Sequence, residues 1–442
     1  MKLPTFKSGI HPEEFKYFTE SLAIEILPLP KEVFIPLQQH IGAPCKPLVE
    51  VGDVVKVGQV IGSTEAYVSS PVHATISGSV KDIERYLSPI GIRAEMIHIV
   101  SPEESDESPE SEKTNNKIDW TSLTVVELKN RIKNAGIVGL GGAAFPTHVK
   151  LNPPENKPID TLIINGCECE PFLTADHRTM SEMPEKIFIG MSIIMKVLGV
   201  KNGHVGIESN KPDAINSMQK LANDYDVGVV TVKTKYPQGA EKMLIKAING
   251  RKVPTGGLPM DVGVVVHNVG TAVAVADAVL SEKPLTQRVV TITGNGIKEP
   301  KNLMVTIGTR FSDVLEFCGG LIDETVQVIM GGPMMGIAQY DLSVPVIKAT
   351  SGIVCTTDYK QVEPMACIGC GSCVNSCPMF LMPTRLARLS YIRYWSDADK
   401  MGIMNCIECG SCAFVCPSAI PLVQWIRVGK RKVYEIQCDL VV

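Results

Sequence analysis

The 442-residue chain is long enough for about three domains, and with 45% apolar and 20% charged residues it reads as a folded protein, neither a disordered chain nor a membrane bundle. A formal net charge of −4 offers no broad positive field to gather phosphates, so no nucleic-acid partner is expected. The opening MKLPTFKSGIHPEEF lacks the apolar core of a secretory signal, which places the fourteen cysteines in a reducing compartment, where clustered thiols read as metal ligands rather than disulfides.

Residues 30 to 85 carry Val, Ile and Gly at short intervals, the pattern of short strands joined by tight turns. VEVGDVVKVGQVIG and the later HATISGSV make this unit resemble the biotinyl/lipoyl-type hammerhead, and residues 1–100 are taken as that β domain. The hairpin that carries the modified lysine in that family reads TEAYVSSP here, without a lysine, so a structural role is expected. Residues 101–117, acidic and without apolar anchors, form a linker.

From Trp120 the pattern turns helical: Val125, Leu128, Ile132 and Ala135 share one face, with Thr124 and Glu127 at capping-box spacing. A glycine loop, GLGGAAFPTHVK from Gly139, follows this helix. It satisfies G-x-G-x-x-A but does not follow a strand, as the dinucleotide fingerprint should. Gly139, Gly141 and Gly142 still permit close backbone approach to an anion, with Lys150 downstream as a charge; a packing turn is the alternative. TLIINGCE, GHVGIESN and VGVVTVKT then alternate with helical stretches, which predicts a parallel sheet with crossover helices over 118–284. The apolar run 262–280 holds His267, Asn268 and Asp277 and is read as a strand and a core helix, not a membrane span.

Residues 285–350 read as two strands around Gly-Asn-Gly and a short helix, a β-grasp unit, and 351–442 hold the cysteine motifs. Cys367, Cys370, Cys373 and Cys377 follow C-x2-C-x2-C-x3-C-P, and Cys406, Cys409, Cys412 and Cys416 repeat it. This is the bacterial ferredoxin run for [4Fe–4S] clusters, in which the fourth cysteine ligates the other cluster. The expected sets are therefore Cys367, Cys370, Cys373 with Cys416, and Cys406, Cys409, Cys412 with Cys377. Four-thiolate zinc is the competing reading of such pairs, and Cys167 with Cys169 form a C-x-C that could chelate a further metal. Arg385, Arg388 and Arg393 beside Leu386 and Leu389, and the RVGKRK run, read as a solvated face or as a dock for an acidic partner or membrane surface.

GLGGAAFPTHVK, INGCECEP from Ile164, YPQGAEKML from Tyr236 and VVVHNVGT from Val264 are similar, in order and spacing, to the flavin-binding subunit of respiratory complex I. The resemblance implies a Rossmann-like fold for FMN and NADH followed by a β-grasp (SLBB) unit. It implies that the backbone at Gly139, Gly141 and Gly142, with Lys150, cradles the FMN. Asn165 and Glu168 would contact the isoalloxazine, and Asn268 and Thr271 would hold the phosphate. Phe145 would be an aromatic platform, with Glu170 and Glu241 placing the NADH. Cys167, Ala144 and Ala240 depart from that family's aspartate, glycine and glutamate.

With FKSGIHPEEFK near the start and MGGPMMG from Met330, the chain resembles over nearly its whole length the C subunits of the Rnf ion-translocating ferredoxin:NAD oxidoreductases. This implies electron transfer between NAD(H), FMN and two [4Fe–4S] clusters. It also implies peripheral attachment on the cytoplasmic face of a bacterial membrane and partnership with the membrane subunits, especially an iron–sulfur ferredoxin-like one. The alternative is a soluble flavin and iron–sulfur cobalamin reductase of propanediol microcompartments.

Overall fold

The computed structural model describes residues 2–102, 118–358 and 362–439. The acidic segment expected as a linker thus lies, from residue 103 on, outside the described residues.

The N-terminal strands are β1 (Ile24–Ile26), β2 (Glu32–Pro36), β3 (Lys46–Pro47), β4 (Val54–Val55), β5 (Val60–Ser63), β6 (Val72–His73), β7 (Gly78–Leu87) and β8 (Arg93–Val100). Two sheets, ordered β2-β8-β7-β4 and β3-β5-β6, close over Val33, Ile35, Val55, Ile61, Val72 and Ile97. The lysine-free hairpin docks on the next domain: Asn152 Nδ2 donates to Tyr67 Oη at 3.1 Å, and the His148 ring meets Tyr67 O at 3.3 Å. A hairpin held against a neighbour is a poor swinging arm.

Helix α1 (Val125–Asn134) starts on the expected capping box, with Glu127 N donating to Thr124 Oγ1 and Thr124 N donating to Glu127 Oε2. Leu128, Ile132 and Ala135 are buried, whereas Val125 is exposed at the end of the stripe. After α2 (Thr147–Lys150), four parallel strands alternate with helices: β9 (Thr161–Gly166), α3 (Ala175–Glu182), α4 (Pro184–Leu198), β10 (Asn202–Glu208), α5 (Pro212–Ala222), β11 (Gly228–Val232), α6 (Glu241–Asn249), β12 (Val264–Asn268) and α7 (Val269–Leu280). The sheet order is β11-β10-β9-β12. Leu162 and Ile164 of β9 face a core with α4 and α7, while Ile163 faces Leu244 and Ile245 of α6. A parallel strand covered on both faces reads as a continuous apolar run, as TLII does. The run 262–280 is β12 and α7, inside this core, and among the described residues no helix is long and apolar enough to cross a membrane.

The β-grasp unit holds β13 (Gln287–Thr293), β14 (Lys301–Thr306), α8 (Phe311–Phe317), β15 (Gln327–Met330), β16 (Ile337–Gln339) and β17 (Gly352–Thr356). Its sheet runs β1-β14-β13-β17-β15-β16. Two expected boundaries therefore move. Residues 24–26, assigned to the hammerhead, pair in parallel with β14, and residues 352–356, assigned to the cysteine domain, pair with β13 and β15. Strand β1 adds to the open edge at β14, and β17 fills the gap between β13 and β15, pairings of distant chain segments that spacing alone does not reveal. Cys355 is buried in this sheet.

The last domain is helical, with α9 (Ser372–Ser376), α10 (Pro383–Tyr391), α11 (Trp395–Lys400), α12 (Ser411–Phe414) and α13 (Leu422–Asp439) around Leu386, Ala398, Ile403, Leu422 and Ile426. Leu386 is buried while Arg385, Arg388 and Arg393 are exposed. In the basic run, Arg427 and Lys430 are paired with Glu408.

Candidate functional site

Strand order reverses between β9 and β12, and open parallel sheets bind ligands outside the carboxyl ends of their strands at such a point. Asn165 and Asn268 stand there as register partners on the two strands. Asn165 Nδ2 donates to Gly239 O at 2.8 Å. Asn268 caps α7, its Oδ1 accepting from Gly270 N at 2.8 Å, and its Nδ2 donates to Asp176 Oδ2 at 2.6 Å.

The glycine loop lies over this edge. A Cβ on Gly141 would stand 2.5 Å from Asn268 Nδ2, so only glycine lets the loop settle on the asparagine. Leu140 N donates to Thr271 Oγ1 at 3.0 Å, and the buried Arg288 donates to Leu140 O at 3.2 Å. Gly139 N closes the loop on Phe145 O at 3.0 Å. A Cβ on Gly142 would project into open space, which is the room a ligand needs beside exposed backbone N–H groups. Phe145 is half-buried at the loop's end. Lys150 Nζ donates to Val266 O at 3.0 Å and pairs with Glu241 at 3.1 Å, so these two candidates stand together beside β12.

The carboxylates of Glu168 and Glu170 are likewise taken up within the protein. Glu168 caps α3, accepting from Asp176 N at 2.7 Å and His177 N at 3.1 Å. Glu170 accepts from Met334 N at 3.1 Å, under the MGGPMMG loop, with Tyr236 Oη 3.4 Å away. Lys16, buried and from the N-terminal segment, donates to the carbonyls of Glu168, Glu170 and Leu173 and pins the whole turn. Burial pushes the Asp176 carboxyl up to about 7, with the Glu168 charge adding to it.

Burial likewise raises the Glu170 carboxyl from 4.5 to about 7. Between those values the folded chain keeps a proton that the unfolded chain has released, so stability falls as pH rises. Glu170→Gln, shaped like the protonated acid, is expected to melt close to wild type at pH 4.5 and above it by a margin that widens toward pH 7. Thermal melts across that range at fixed ionic strength read the gap; a gap independent of pH contradicts the burial of this carboxyl.

The eight motif cysteines line two cavities. Cys377, Cys406, Cys409 and Cys412 surround one, closed by Leu386, Val423 and Ile426. Cys367, Cys370, Cys373 and Cys416 surround the other, with Thr384 and Leu422. Each cavity thus holds three thiols of one run and the last thiol of its twin. The four thiols of each set line one cavity, and a cubane takes its thiolates at separate corners. Matching hydroxyls stand beside the second thiol of each run, Ser372 3.4 Å from Cys370 and Ser411 3.4 Å from Cys409. Backbone N–H groups of Leu381 and Glu408 donate to Cys377 and Cys406 at 3.4 Å each, contacts that tune thiolate ligands. Both cavities fit the group by donor set, with four thiols each.

The two cavities differ in setting. Cys409 is buried against Tyr236 and Met334, whereas Cys367 and Cys370 are exposed. Cys167 is buried, and Cys169 Sγ accepts from Gly239 N at 3.3 Å. Sequence reasoning missed Lys16, Asp176 and Tyr236; the first and last sit inside family motifs, but nothing local marks a buried lysine or a tyrosine aimed at another domain.

Comparison with known proteins gives four family matches: an RnfC barrel sandwich hybrid domain over residues 4–104, a Nuo51 FMN-binding domain over 132–277, an SLBB domain over 289–338 and a 4Fe-4S dicluster domain over 359–417. The chain is 49% identical over 398 residues to the C subunit of the proton-translocating ferredoxin:NAD(+) oxidoreductase complex of Clostridium ljungdahlii, covering 90% of this chain and 86% of that one. It is 45% identical to the Na(+)-translocating counterpart of Acetobacterium woodii, with 98% of each chain covered. Against the C subunit of the ion-translocating oxidoreductase complex of Rhodobacter capsulatus it is 42% identical, over 98% of this chain and 84% of the relative. In fold it is similar to a chain of an NAD+-reducing [NiFe]-hydrogenase, with a TM-score of 0.50 at 18% identity, covering 71% of this chain and 62% of that one. The chain belongs to the family of C subunits of the ion-translocating ferredoxin:NAD(+) oxidoreductase complexes.

Proposed function

We propose that this chain is the subunit through which such a complex moves electrons between NAD(H), FMN and two [4Fe–4S] clusters. The observation that carries the reading is the sorting of eight thiols into two adjoining cavities, one of them set against the flavin-type domain.

A bound flavin supplies the conversion between two-electron hydride chemistry and one-electron transfer. The residues assigned to it are the backbone at Gly139, Gly141 and Gly142 with Lys150, together with Asn165 and Asn268 at the strand ends and Thr271 in the first turn of α7. Phe145 and Glu241, the ion-pair partner of Lys150, flank the same edge and are assigned to the nicotinamide nucleotide. Glu168 and Glu170 act indirectly, by shaping the turn after β9. The cavity of Cys406, Cys409, Cys412 and Cys377 takes the cluster nearer the flavin. The exposed cavity of Cys367, Cys370, Cys373 and Cys416 takes the outer one, where a one-electron partner approaches. That partner is an iron–sulfur subunit of the membrane complex, which puts this chain on the cytoplasmic face as a peripheral subunit.

The test is anaerobic reconstitution followed by iron, sulfide and flavin analysis and titration with NADH. About eight irons per chain are expected from two cubanes, with bleaching of the flavin band by NADH. About four irons would remove the paired clusters, and a spectrum indifferent to NADH would remove the nucleotide site.

A further inference from the structure

Among the described residues the inner cluster loop meets the flavin-type domain at Tyr236, and again where Gly256 N donates to Asn405 Oδ1 at 2.9 Å, one residue before Cys406. Tyr236 follows β11 and is 1% exposed, with its ring packed against Ile10 and Cys409. Its hydroxyl stands 2.7 Å from the backbone carbonyl of Cys409 and donates to it. Glu170, fixed by Met334 N, borders the same hydroxyl.

The N-terminal segment completes the contact. Ile10 and Tyr236 exchange backbone hydrogen bonds of 2.8 and 2.9 Å, and Gly9 N donates to Ser376 O at 3.0 Å, one residue before Cys377. Gly9 has φ of +79°, and a Cβ there would stand 2.6 Å from Tyr236 O, so the strap needs glycine at this position. Two thiols of one cavity, Cys409 and Cys377, are therefore each reached by the same short assembly, one through its own carbonyl and one through its neighbour's.

We propose that Tyr236 and the Gly9–Ile10 strap are positioning residues for the reaction: they clamp the loops bearing Cys409 and Cys377 to the flavin-type sheet and set the geometry for electron transfer between flavin and inner cluster. Such a clamp has a physical basis. A buried tyrosine hydroxyl without a partner would be costly, and its donation to a cluster loop of another domain, 173 residues away in sequence, fixes that loop in one place. A tyrosine serving only as core would not need its hydroxyl, and a strap serving only the N-terminus would not need Ser376. The clamp rests on the reading of flavin and clusters proposed above.

The experiment uses the full chain reconstituted with flavin and clusters, comparing wild type with Tyr236→Phe, which removes only the hydroxyl, and with Gly9→Ala. Stopped-flow absorbance after mixing with NADH follows flavin bleaching, and freeze-quenched EPR follows the reduced clusters. First-order rates are taken from molecules retaining both clusters, so partial loss of iron does not obscure them. Flavin bleaching at the wild-type rate is expected, with reduction of the clusters slowed several-fold. Tyr236→Phe is also expected to shift the EPR signature and reduction potential of the inner cluster, which loss of packing elsewhere would not do. Cluster reduction at the wild-type rate in both variants overturns the clamp, as does slowing of bleaching and cluster reduction by the same factor. Wild-type protein with about four irons, or without NADH bleaching, overturns the underlying reading instead, before any variant is compared.

Discussion

Cys377→Ser is expected to remove the inner cluster while sparing the outer one, cutting iron from about eight to about four per chain. The reason is that Cys377 follows Cys373 in sequence but lines the cavity of Cys406, Cys409 and Cys412. Cys416→Ser is expected to do the reverse, because Cys416 lines the cavity of Cys367, Cys370 and Cys373. Single variants do not distinguish this exchange from two self-contained runs, since either arrangement loses one cluster. Double variants do, because residues acting in one unit are not additive. Cys377→Ser combined with Cys406→Ser should still leave about four irons, as both thiols line one cavity, while Cys377→Ser combined with Cys367→Ser should leave none. The opposite pattern would mean that each run closes its own cluster. In the Cys377→Ser protein, NADH should still bleach the flavin while the outer cluster stays oxidised, since its neighbour on the flavin side is gone.

The second large effect is expected at Asn268. Leucine there keeps the volume but removes the cap of α7 and the donor to the buried Asp176. Loss of a helix cap costs about 1 kcal/mol, and stranding a buried acceptor costs roughly 1–3 kcal/mol. Asn268→Leu should therefore destabilise the flavin-type domain by about 2–4 kcal/mol and release the flavin, because the glycine loop rests on this side chain. Asn268→Asp preserves the capping oxygen but sets a carboxylate against Asp176, and it should also release flavin with a smaller loss of helix stability. Differential scanning and flavin content after gel filtration check both outcomes. Retention of wild-type melting and stoichiometric flavin in the leucine variant would show that Asn268 holds neither the helix nor the ligand.

Several features were legible because they are local. The capping box at Thr124 and Glu127, the strand runs from Thr161 to Val232 and the paired cysteine runs each declare themselves within about a dozen residues, the range over which periodicity and ligand spacing operate. Glu168 and Glu170 were legible as candidates but not as to what they face. Their carboxylates were expected at the ligands, and the fold directs one to the start of α3 and the other under a loop of the β-grasp unit. Lys16 and Tyr236 sit inside motifs, FKSGIHPEEFK and YPQGAEKML, that do not say what they face: the lysine is buried among three carbonyls, and the tyrosine reaches the cluster domain.

By itself the sequence determined which chemistry the chain holds: eight thiols in two ferredoxin-type runs, a glycine loop before a parallel sheet, and a hammerhead whose hairpin lacks its lysine. Short-range spacing suffices for that, because three thiolates on one loop must be close neighbours in sequence to meet one cluster. Only the tertiary structure decided which cavity lies against the flavin-type domain, that β1 and β17 complete the β-grasp sheet, and that Gly9 and Tyr236 join the two redox domains. Those outcomes depend on contacts between segments as much as 367 residues apart, from Gly9 to Ser376. Backbone donors and buried hydroxyls find such partners only once the chain has folded, and no residue pattern announces them beforehand.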